Sequence, residues 1–60
     1  MPDIILVQQM TIASDRMLEA RDLADNPTIT KADLDVIATK AKEALQALAM
    51  IAERTAHLAS

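Results

Sequence analysis

Few side chains in this sequence can hold a metal, move a proton or attack an electrophile, and their spacing restricts them further. There is no Cys, hence no thiolate nucleophile, no disulfide and no thiolate metal site. The single histidine, His57, falls four residues after Glu53, so a helix would put both on one face. The Glu-x-x-His spacing of carboxylate-bridged metal bundles is nevertheless absent. Ser14 and Ser60 share that one histidine, and a chain with no Gly has no glycine-rich phosphate loop. We therefore expect no enzyme, no cofactor and no metal.

Charge offers recognition rather than catalysis. Asp22, Asp25, Asp33 and Asp35 gather in one short stretch, relieved only by Arg21 and Lys31. Asp22 and Asp25 would sit at the negative end of a helix dipole, where folding alone favours Lys or Arg, so this acidic patch is a candidate contact for a basic partner. Calcium is not the expected occupant, because the stretch lacks the Gly and the alternating oxygen ligands of an EF-hand. Arg16, Arg21, Lys40, Lys42 and Arg54 are dispersed among acids with no aromatic residue beside them. With a formal net charge of −3, they make a weak case for nucleic acid.

These residues need elements to position them, and the clearest is a helix from about Thr30 to Ala59. Leu34, Ile37, Ala41, Ala44, Leu48, Ile51 and Leu58 recur at alternating three- and four-residue steps, with Thr55 the one polar intruder. Ala38, Leu45, Ala52 and Ala59 add a second column seven residues apart, which widens the stripe to the breadth a bundle needs. Thr30 and Asp33 have capping-box spacing, and Ile29 and Leu34 hold the staple positions. A helix of roughly 28 residues is about 40 Å long.

An earlier helix, about residues 3–25, follows from Asp3 as N-cap and from Leu6, Met10, Ala13, Met17, Ala20 and Ala24 at the same alternation. Alone, the run Ile4-Ile5-Leu6-Val7 would also suit a strand; its continuation decides for helix. Gln8, Asp15 and Asp22 form a polar column opposite. Ile4, Ile5 and Val7 point to several sides of the first turn, so one neighbouring helix cannot cover them all. They are a second candidate contact surface, for another copy or for a different protein. Met10, Met17 and Met50 read as flexible filler inside the stripe.

Pro27 ends the first helix and biases Asn26 away from helical geometry, which leaves a loop at about 26–29. A connection that short implies an antiparallel hairpin in a single domain, residues 1–60. Hydrophobic residues make up 52% of the chain, more than a two-helix hairpin can hide, and there is no disulfide to stabilise so small a core. We therefore expect an all-α hairpin that dimerises into a four-helix bundle. Its oligomer core would be Leu6, Met10, Met17, Leu34, Ile37, Ala41, Ala44, Leu45, Leu48, Ile51, Ala52 and Leu58. No apolar run approaches a membrane span and Met1-Pro2-Asp3 lacks a basic leader region, so a soluble cytoplasmic protein is expected.

The expected partners are the chain itself and a target protein, in a regulatory or inhibitory role. The layout resembles that of Rop-like bundles, a likeness of architecture without a shared motif. That likeness implies nucleic-acid binding as the alternative function, and a purely structural oligomerisation element is the third.

Overall fold

The computed structural model describes residues 1–60 and consists of two α-helices, α1 (Ile4–Ala24) and α2 (Lys31–Ala59), with no strand. Asp3 has extended backbone geometry, and its carboxylate accepts from the Leu6 N–H at 3.0 Å, satisfying one of the four free donors at the helix start. Thr30 does the same for α2. Its hydroxyl accepts from the Asp33 N–H and the Asp33 carboxylate accepts from the Thr30 N–H, each at 3.1 Å, completing the capping box.

Between the helices the chain reverses without any residue at positive φ, so no Gly is required. The Asp25 N–H donates to the Arg21 carbonyl at 2.8 Å, and the Asn26 side chain accepts from the Thr28 N–H at 3.0 Å, an Asx turn across Pro27. The non-helical stretch is therefore 25–30, one residue longer at each end than expected from the sequence. Both extra residues are caps, whose backbones lie half inside the helix.

The two helices close on their smallest side chains. Ala13 and Ala20 of α1 and Ala44 and Ala47 of α2 are the only buried residues, and Ala44 retains just 1% exposure. Leu6, Gln9, Arg16 and Leu23 continue this seam along α1, and Ile37, Lys40, Ile51 and Arg54 along α2, all half-buried. Small side chains let the helix backbones approach closely, so the larger apolar residues sit on the flanks of the seam rather than in it. The molecule is one helix layer thick, with extents of 46 × 17 × 11 Å.

α2 outruns α1. The Arg54 guanidinium donates to the Asp3 carboxylate at 2.8 and 3.1 Å, joining the start of α1 to α2 there, and every residue after Arg54 is exposed. No helix is long and apolar enough to cross a membrane.

Candidate interaction surfaces

The chain encloses no cavity, and no group of three or more His, Cys, Asp or Glu side chains is placed to hold a metal ion. Its surface features are four, two at the ends of the hairpin and two on its broad faces.

At the open end, the Asp3 cap directs α1 so that Leu6 turns into the seam while Ile4, Ile5 and Val7 remain exposed. Ile4 keeps 67% of its surface, as expected for an apolar turn with only one neighbouring helix to cover it. Asp3 is doubly held: hydrogen bonds from Arg54, and after them from the Leu6 N–H, lower its pKa below 3.8. At the loop end, Asp22, Asp25 and Asp35 are exposed and outside every ion pair, whereas Asp33 is committed to the capping box. The apolar turn and the acidic loop thus stand at opposite ends of one molecule.

The broad faces differ in chemistry because of where the charges fall relative to the seam. Glu19 and Glu43 lie one residue before Ala20 and Ala44, which turns both to the same face. There Lys40 reaches Glu19 at 2.6 Å, while Arg16 bridges Glu19 at 2.9 Å and Glu43 at 3.2 Å. The bond to Lys40, ahead of that to Arg16, lowers the Glu19 pKa; Glu43 first and Glu19 second raise that of Arg16. Three of the cations considered for phosphate contact in the sequence, Arg16, Lys40 and Arg54, are therefore already paired with carboxylates of their own chain.

The opposite face holds no ion pair. Met10 and Met17 each lie one residue after a half-buried seam position, as do Leu34 and Ala41, and Leu48 follows the buried Ala47. In an antiparallel pair the same offset on both helices leads to the same broad face. Met10, Met17, Leu34 and Leu48 are each about half exposed, and Leu45 behind them keeps 65%. The register set by Glu19–Lys40 and Arg16–Glu43 brings Met10 level with Leu48, Met17 with Ala41 and Ala24 with Leu34.

Of the expected oligomer core, Leu6, Ile37, Ala44 and Ile51 are thus used inside the hairpin. Met10, Met17, Leu34, Ala41, Leu45, Leu48, Ala52 and Leu58 are left on its surface. Sequence reading did not find the charge cluster, because its pairs span the two helices and depend on register. The four–three alternation also merged two lines that the fold separates, the alanine seam and the apolar flank beside it. His57 and Glu53 are both exposed, and neither takes part in an ion pair. Comparison with protein-family models, with curated proteins and with solved structures finds no match for this chain.

Proposed function

We propose that this is a non-enzymatic regulatory or inhibitory protein that binds another protein as a homodimeric helical bundle. The observation that carries the reading is how much surface a single hairpin leaves uncovered and how many large apolar side chains lie on it. Its accessible area is 4683 Å², whereas a compact monomer of 6.5 kDa has about 3800 Å². Large apolar side chains are exposed along both helices, and an uncovered area of this kind marks association surfaces.

Self-association would remove part of that surface. The exposed first turn, Ile4, Ile5 and Val7, and the unpaired Asp22, Asp25 and Asp35 are the features offered to a target, with Asp33 beside them. A Rop-like nucleic-acid role has less support, since Arg16, Lys40 and Arg54 are neutralised within the chain. Ile5→Asp is expected to abolish capture of the target while the variant remains helical and dimeric by circular dichroism and light scattering. Unchanged capture from a lysate of the native host would remove the first turn from the reading. A salt-sensitive shift of RNA or DNA in a low-salt gel would favour the Rop-like alternative instead.

A further inference from the structure

We infer that the face free of ion pairs is covered by a second copy of this chain, whose loop lies at the opposite end of the bundle. This rests on the homodimer proposed above and specifies which face it uses and in which direction. Three observations converge on it.

The first is area. The surface in excess of a compact monomer, 4683 Å² against about 3800 Å², matches the roughly 800 Å² that each partner contributes to a standard stable interface. A face with Cα extents of 46 × 17 Å is large enough to supply it.

The second is the partition of charge. This face carries a single charged side chain within it, Arg21, which follows the buried Ala20 and lies between Met17 and Ala24, so covering the face desolvates one ion whose long stem can carry the guanidinium to the edge. The opposite face would have to desolvate Arg16, Glu19, Lys40 and Glu43.

The third is direction. A two-fold axis along the helices would set both loops together, doubling Asp22, Asp25, Asp33 and Asp35 at one end. An axis across the helices at the level of Met17 and Ala41 separates them, and like charges held together are costly. That axis also sets apolar side chains over one another: Met10 over Ala24 of the second copy, Leu45 over its Ala38, Leu34 over its Leu48 and Met17 over its own mate. At the centre Ala41 meets its own symmetry mate, a contact small enough for close approach.

The absence of cysteine makes the arrangement directly readable. In the full chain, Ala41→Cys should oxidise to a covalent dimer, whereas Met50→Cys on the ion-paired side should not. Circular dichroism would check that both variants stay helical. Spin labels on Asn26→Cys should lie about 30 Å or more apart, against about 10–15 Å if the loops were side by side. A short distance, or cross-linking through Met50→Cys instead of Ala41→Cys, overturns this inference and leaves the homodimer standing. A monomer at every concentration overturns both.

Discussion

At the scale of single residues, two side chains fix the ends of the hairpin and a third ties its helices together between them. Thr30 starts α2 through its capping box, and Thr30→Ala should lower stability by about 1 kcal/mol. In a thermal melt followed at 222 nm, that corresponds to a drop of about 4–8 °C. Asp3 both caps α1 and pairs with Arg54, and Glu19 pairs with Lys40 and Arg16. Both carboxyls titrate below their ordinary values of 3.8 and 4.5. A carboxyl whose pKa is lower folded than unfolded stabilises above the unfolded value and ceases to do so as pH falls through the folded one. Stability should therefore decline once the pH drops below those ordinary values. Asp3→Asn, which keeps a good cap but removes one titrating group, should make the decline shallower in denaturant titrations. An unchanged acid limb would show that the Asp3–Arg54 pair is without effect in solution.

At the scale of elements, the helices and their caps were legible in the sequence because they depend on local signals: Asp3, Thr30 with Asp33, and Pro27 after Asn26. The seam was not, because apolar spacing cannot tell the line a helix gives its intramolecular partner from the line beside it. Side-chain size decides that. The helices meet at Ala13, Ala20, Ala44 and Ala47, and Met10, Met17, Leu34 and Leu48 stay outside. The ion pairs were illegible for a related reason, since neighbours such as Arg16 and Glu43 are defined only once the helices are in register. If small size is what closes the hairpin, Ala44→Leu should force the backbones apart. The expected destabilisation is about 1–3 kcal/mol by urea denaturation, and a gain in stability would mean that the seam has room to spare.

At the scale of the whole molecule, a layer one helix thick exposes more surface than a compact monomer of its mass, with large apolar side chains along both helices, and stability should depend on protein concentration. Light scattering should give a mass near twice 6.5 kDa, and the melting temperature should rise with concentration. Refractive index is the detector of choice, as the chain has no Trp or Tyr. A fully ordered 6.5 kDa particle on dilution would exclude association as the source of stability. In the arrangement with separated loops, the apolar first turn of one copy approaches the acidic loop of the other. Each end of the dimer would then combine the two surfaces that a single hairpin keeps apart, a fit for a target segment both apolar and basic.

The clasp between Asp3 and Arg54 has a kinetic meaning. The Arg16–Glu43 bond joins residues 27 apart in sequence, whereas the clasp joins residues 51 apart. Closing a loop of twice the length costs about 0.6 kcal/mol more in chain entropy. The hairpin should therefore zip from the Asx turn outward and fasten the clasp last. Amide exchange would record that order as protection decreasing from the helical turns next to the loop toward residues 3 and 54. Opening would begin at the same end, beside the apolar turn that is proposed to meet a target.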